Sequence, residues 1–341
     1  MTKSSSAGYA QFSHGIEVSA APDSLIIEET DDRIKAVRIG HCSRCYFVFR
    51  RTLAGSYRNI DLNGARLITL VFLGMMVGVM FFGRGSGALD NQAAVLSMLG
   101  VLQITMGFFA VGASNPQVST LFQSRPLFYR EQAIGMYPAS AYYLSLVVKE
   151  ALYIATYAVL VVPVLYLMLG LRLDSPWPML ETLLTYYLSA LWMTWLSQLW
   201  AAIIGDVLVA YVTVGVVNKL AALFNGIFVG GIKNYSTVPR FVATYLNPLF
   251  MANVPLGMSM SHCTVTGPGS TEAERLAAKC PSFTSLSGGE LVLTTAEGFV
   301  GSFVASSYED RFRYYLGMVA VAAGCVVLTL IFGGCCTHNR R

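Results

Sequence analysis

Between Arg66 and Arg84 lie 17 consecutive uncharged residues, and between Glu181 and Asp206 lie 24. Runs of that length constrain the fold more than any other feature of this chain. A helix needs about 20 apolar residues to cross the hydrocarbon core of a bilayer. Charged residues serve as rulers for the remaining runs. Asp90 to Arg125 is uncharged, with 92–113 as its apolar part. A further uncharged stretch follows the Lys149–Glu150 pair and ends at Leu171. Asp206 to Lys233 is broken only by Lys219, and a last run separates Arg313 from His338. The runs predict six spans near 64–83, 91–113, 140–170, 180–204, 207–232 and 312–335. A shorter apolar run at 238–256 contains Pro239, Pro248 and Pro255. Three prolines there suit a re-entrant or interfacial segment better than a span.

Composition agrees. Only 12% of the 341 residues are charged, against about 25% in a soluble domain, and the mean hydropathy is +0.56. An ordinary cytosolic enzyme and a disordered chain are both excluded. The net charge is +4 with scattered bases, which leaves no footprint for nucleic acid. The expected fold is an all-α polytopic membrane protein with an amphipathic connecting helix and a re-entrant segment before the last span. The expected domains are a disordered cytoplasmic tail over 1–40, the amphipathic connecting helix over 41–60, and a transmembrane domain over 61–337 with an outer loop at 233–311.

Residues 1–66 hold nine Lys/Arg and the chain ends in Arg340–Arg341. The positive-inside rule then puts both termini in the cytoplasm, as an even number of spans requires. Residues 1–40 lack the apolar core of a cleavable signal peptide. From His41 to Arg58, apolar Tyr46, Phe49, Leu53 and Tyr57 fall near one helical face among Arg44, Arg50, Arg51 and Arg58. That pattern reads as a helix lying on the inner membrane surface. It is either a plain anchor or a surface that passes force from a cytoplasmic partner. The lone CxxC of Cys42 and Cys45 lacks the second pair that a zinc site needs.

The stretch RPLFYREQAIGMY at 125–137, followed by a helix containing Glu150, resembles the membrane half of an ABC transporter of the G subfamily, pleiotropic-drug-resistance type. The matching residues are Phe128, Tyr129, Arg130, Glu131, Gly135, Met136, Tyr137 and Glu150. The strings ALFNGIFVGG (222–231), VPRF (238–241) and YLNPLF (245–250) resemble that family's fifth span and the re-entrant segment after it. The chain departs from the family at Gln123 and Ser124, where an acidic residue is common. It departs again at Leu152, where a proline is common after the Glu, and at Lys219, where a neutral residue is expected.

The resemblance implies a membrane-spanning exporter subunit, or a C-terminal fragment of one, for apolar or amphipathic small molecules or lipids. Its location would be the plasma membrane. The family's coupling loop corresponds to Arg125, Phe128, Tyr129, Arg130, Glu131, Gly135 and Tyr137, where Arg130 and Glu131 can form charge-assisted bonds with a nucleotide-binding domain. Substrate would sit where two membrane domains meet, lined by Met106, Phe108, Phe109, Lys219, Leu223, Phe224 and Asn225. Leu223–Phe224 also match the apolar plug that the family places above its cavity. Lysine at mid-span costs about 2.5–3.5 kcal/mol, so Lys219 is expected to point into the bundle or the central cavity. Cys263 and Cys280, in the outer loop, are expected to form a disulfide.

The chain carries no chemistry of its own. No Gly-Lys pair exists, so there is no P-loop. LSGGE at 286–290 imitates an ABC signature, yet no P-loop precedes it, and a Ser-Gly-Gly turn explains it. No catalytic triad and no metal-ligand cluster is apparent. ATP and Mg are expected on a partner domain, with no cofactor or metal bound here. The alternative is a channel or scaffold that never couples to ATP.

Overall fold

Helix α1 (His41–Arg58) opens the described chain and α2 (Ile60–Met80) follows almost at once. Four long helices then run as α3 (Gln92–Ala133), α4 (Ala139–Leu169), α5 (Trp177–Ile203) and α6 (Val207–Leu223). Two short helices, α7 (Pro248–Met251) and α8 (Asn253–Ser261), precede a hairpin of β1 (Ser282–Ser287) and β2 (Glu290–Thr295). Helices α9 (Ala296–Val304) and α10 (Arg311–Cys335) complete the order. The computed structural model describes residues 41–87, 89–173, 176–225, 241, 246–262, 282–287, 290–304 and 307–335. Residues 45–341 form one unit. Of the unit 1–44, only 41–44 are described, as the first turn of α1.

Local chemistry sets several boundaries. Asn91 caps α3 by accepting from the Ala94 N–H at 2.8 Å, and Asp206 caps α6 by accepting from Leu208 and Val209. Side-chain oxygens there satisfy N–H groups that a first helical turn leaves orphaned. At the other end of α3, Gly135 takes φ +74°. The left-handed conformation closes the helix, with the Met136 N–H reaching the Glu131 carbonyl at 3.1 Å. The helix runs through Pro116 and Pro126. Hydroxyls of Thr120 and Ser124 bond back to helical carbonyls in that stretch, partners that help a helix tolerate proline.

The core lies where α3 packs on α5, with α10 on the far side of α5 and α2 and α4 alongside. Met106, Ala110, Tyr186 and Met193 are almost fully enclosed there. Tyr186 donates its hydroxyl to the Leu102 carbonyl at 2.8 Å, so a buried polar atom is paired. Gly74 and Gly78 let α2 approach Val161 and Met168 of α4 closely.

Among the described residues, four helices are long and apolar enough to cross a membrane: Asn63–Met80, Gln92–Ala133, Ala139–Leu169 and Tyr308–Gly334. Helix α5 has the length, but it carries buried Thr182, Thr185, Ser189, Thr194, Ser197 and Gln198. A central helix shielded by its neighbours is freed from being uniformly apolar. Helix α6 is shorter, 17 residues. The fold is therefore mostly helical with four such helices, and the count of six is not established by it.

The expected loop at 114–139 is helical as far as Ala133. At 1.5 Å per residue, 42 residues make a rod of about 63 Å. That is about twice the thickness of a hydrocarbon core, so the charged end of α3 lies beyond it. The expected outer loop is likewise structured in part, because α7 and α8 are buried throughout. Within the LSGGE string, Ser287 of β1 pairs with Glu290 of β2, and Gly288 and Gly289 lie outside the described residues. Cys263 and Cys280 lie outside the described residues.

Candidate functional site

Glu131 sits on the last turns of α3, where the rod has left the apolar zone. Its carboxylate accepts both guanidinium N–H groups of Arg51 on α1, at 2.5 and 2.6 Å. The Tyr137 hydroxyl donates to the same carboxylate at 2.5 Å, and the Arg51 guanidinium lies 5.9 Å from the Tyr137 ring centre. A fork-to-fork pair fixes direction as well as distance. Arg51 holds the Glu131 carboxyl below the usual carboxylate range. Hydrogen bonding to Glu131 raises the Arg51 guanidinium in turn. Burial, then Glu131, pushes the Tyr137 phenol up to about 12, so it remains a donor.

Beneath this clamp lies a stack of rings. Phe128 is enclosed, with Tyr142 parallel to it at 4.3 Å and Tyr143 edge-on at 5.8 Å. Tyr129 and Tyr137 complete the group. Arg125 faces inward too. It donates to the Ile204 carbonyl at 3.0 Å and to the Ala201 carbonyl, while its guanidinium stacks 4.0 Å from the Phe122 ring centre. A cation thus caps the negative end of α5.

Within RPLFYREQAIGMY, then, Arg125, Phe128, Glu131 and Tyr137 bind their own chain. Arg130, Ile134, Gly135 and Met136 stay exposed, as does Leu127. Ile134 is 76% and Met136 55% exposed, outside the zone where lipid would cover them.

Arg66, Lys149 and Glu150, which flank uncharged runs in the sequence, form a buried group. Each is at most 4% exposed. Glu150 receives Arg66 at 3.0 Å and Lys149 at 2.9 Å, and Arg66 also donates to the Ala113 carbonyl. One guanidinium therefore ties the start of α2 to α3 and α4. The adjacency of Lys149 and Glu150 was the available signal. Arg66 lies 84 positions from Glu150, so sequence gave no cue to it.

The seven residues expected to line a substrate path divide. Met106 and Phe109 lie inside the bundle, Met106 accepting from Ser189 and Phe109 packing on Tyr186. Phe108 faces a small crevice beside Leu70 and Leu73 of α2. Lys219, Leu223 and Phe224 are exposed on or just after α6. Lys219 does not enter its own bundle; buried Asn218 does, donating to Ser114 at 3.3 Å. Asn225 is buried, and its carbonyl accepts from Asn253. Asn247 donates to the carbonyls of Ala221 and Phe224, so α7 and α8 supply partners for the end of α6.

At the opposite end, His262 stacks on Tyr308 at 3.6 Å and meets Glu297 at 3.1 Å, while Arg311 pairs with Glu181 at 3.1 Å. Sequence spacing concealed these long-range pairs. No group of three or more His, Cys, Asp or Glu that could hold a metal occurs among the described residues.

The described residues thus form a bundle of long apolar helices with a clamped, partly exposed helix end. The chain belongs to the ABC-2 type transporter family, which matches residues 43–256. It is similar to Pleiotropic drug resistance protein 2 of Nicotiana plumbaginifolia, 27% identical over 39% of this chain and 9% of the relative. ABC transporter G family member 38 of Arabidopsis thaliana is 25% identical over 54% of this chain and 12% of its own length. ABC transporter G family member 40 of Oryza sativa subsp. japonica is 29% identical over 33% and 8%. The aligned stretches cover about a tenth of these relatives. Family membership sets aside the reading as an unrelated channel or scaffold.

Proposed function

We propose that the chain is the membrane-spanning part of an ATP-driven exporter of apolar or amphipathic small molecules or lipids. The observation that carries this reading is the end of α3. Leu127, Arg130, Ile134 and Met136 are exposed there, and the Arg51–Glu131–Tyr137 clamp holds that end against α1. A nucleotide-binding domain docked on the exposed residues would move α3 and α1 together. ATP and Mg would be held by that domain, and this chain would contribute the moving helices.

The proposed arrangement has six spans, with α5 and α6 joining the four apolar helices, and α7–α8 as the re-entrant segment. Both termini would be cytoplasmic, in the plasma membrane. A second membrane domain would cover the exposed face of α6, where Val212, Val216, Lys219 and Leu223 lie. That contact would form the substrate path and give Lys219 a place away from lipid.

Co-expression with a G-subfamily ATP-binding domain tests this. Tagged chain should recover that domain, and sealed vesicles bearing both should accumulate a fluorescent amphiphile only with ATP. Ile134→Asp with Met136→Asp should abolish recovery while the protein still inserts. Recovery unchanged by those substitutions would refute the docking surface.

A further inference from the structure

A cavity of about 680 Å³ opens between α1, the start of α2 and the middle of α4. It lies apart from the end of α3 and from the exposed face of α6. Leu53 and Tyr57 of α1, Leu67 of α2, and Leu152 and Tyr157 of α4 form its walls, with Arg50 at its edge. Its size falls in the range of about 300–1,000 Å³ typical of small-molecule sites.

Three observations identify the occupant. The first is position. Helix α1 carries arginines beside exposed Tyr46, Phe47 and Tyr57, the composition of a helix at the boundary of headgroups and acyl chains. The second is the surroundings. Leu160 of α4, exposed and two turns beyond Leu152 and Tyr153, continues the lining face, and exposed Ile68 and Phe72 of α2 and Val159 of α4 lie on the adjacent apolar surface. The third is charge. Arg50 carries the single charge among the described lining residues, and it forms no hydrogen bond or ion pair within the described chain. Its neighbour Arg51 is committed to Glu131. The base of the cavity is already satisfied internally, with Asn63 donating to the Ser56 carbonyl at 2.7 Å. The edge therefore offers a cation to an anion, and the walls offer apolar surface to an alkyl chain.

We infer that this cavity is a binding site for one anionic phospholipid of the adjoining leaflet, its phosphate on Arg50 and an acyl chain against Leu53, Leu67 and Leu152. The site is separate from the export path and binds without ATP. A lipid lodged there touches α1, α2 and α4 together, so it bears on how firmly the connecting helix seats. Leu152 stands where the resemblance calls for proline, and it supplies one wall of the site.

Native mass spectrometry of the full chain, released from nanodiscs of phosphatidylglycerol or phosphatidylcholine with identical acyl chains, reads the site directly. Wild type should retain one phosphatidylglycerol and much less phosphatidylcholine. Leu152→Trp fills the cavity from α4, at an exposed position. Gly64→Leu fills it from α2, where an added Cβ meets nothing within 4 Å. Each should lose the retained lipid. Arg50→Gln should keep a lipid but lower the preference for phosphatidylglycerol about fivefold, the worth of one arginine near an anionic surface. The Arg50 measurement stands however the filled variants fold. Equal retention of the two lipids by wild type, or undiminished retention by both filled variants, would overturn the inference.

Discussion

The ring of Tyr143 on α4 lies so close to Gly333 on α10 that a single methyl group on Gly333 would overlap it. Tyr143 is itself enclosed within the aromatic group around Phe128. It has little freedom to yield. The approach of α10 to α4 therefore depends on the missing side chain.

Gly333→Ala should lower stability by about 1–3 kcal/mol, the usual cost of overpacking. Gly324→Ala, on the same helix with nothing within 4 Å of the new Cβ, should be neutral or raise stability by up to about 1 kcal/mol. Thermal unfolding in detergent, followed by tryptophan fluorescence, compares the two. Equal melting temperatures would show that Tyr143 moves aside.

The clamp on Glu131 has a pH signature. Arg51 holds the folded carboxyl below its ordinary value of 4.5. A depressed folded pKa contributes stability above the unfolded value, and that contribution is lost as pH falls through the folded one. The stability difference between wild type and Glu131→Gln should thus be constant from about pH 6 to pH 8 and shrink below about pH 4. Glu131→Ala should also uncouple transport from ATP hydrolysis while the protein still reaches the membrane. Normal efflux in that variant would refute the assignment.

Arg125 behaves as a structural cation. Arg125→Ala leaves the Ala201 and Ile204 carbonyls without their donor and should cost about 1.5–3 kcal/mol. Arg125→Lys should recover little of this, because a point charge cannot span two carbonyls and lie flat on Phe122. Melting temperatures of the two variants check the ranking.

Glu150 neutralises part of a buried double positive charge. Glu150→Gln leaves Arg66 and Lys149 facing each other without a carboxylate and should cost about 3–5 kcal/mol. Adding Lys149→Met should restore much of the yield in membranes. If the double variant is no better than the single one, Lys149 is not the source of the penalty.

The pair Cys263 and Cys280, proposed to face the oxidising side, should form a disulfide worth about 3 kcal/mol in the chain-entropy model. Peptide mapping under non-reducing conditions should show them linked. Two free thiols would end the proposal.

Helix existence was legible in the sequence because uncharged runs and arginine rulers are local features. The cap at Asp206 and the end of α4 before Arg172 fall where those rulers stand. The extent of α3 was not legible. Pro116, Pro126 and three charged residues read as a loop, whereas packing against α5 and hydroxyl bonds to the backbone support the helix there. Glu131 was found through its string, yet its partner Arg51 lies 80 positions away and required the fold. Met106 and Phe109 lie inside the bundle for a reason that sequence could not show. An apolar side chain beside a cavity and one inside a core look alike until the neighbouring helix is known.

The length of α3 has a mechanical meaning. One unbroken helix carries both Met106, locked in the core, and Glu131, clamped to α1. A push at the far end is not absorbed by a flexible joint, because the chain first leaves helical geometry at Gly135. The Arg66–Ala113 contact lies near its midpoint, so a single rigid element joins the α1 clamp, the buried ion group and the core.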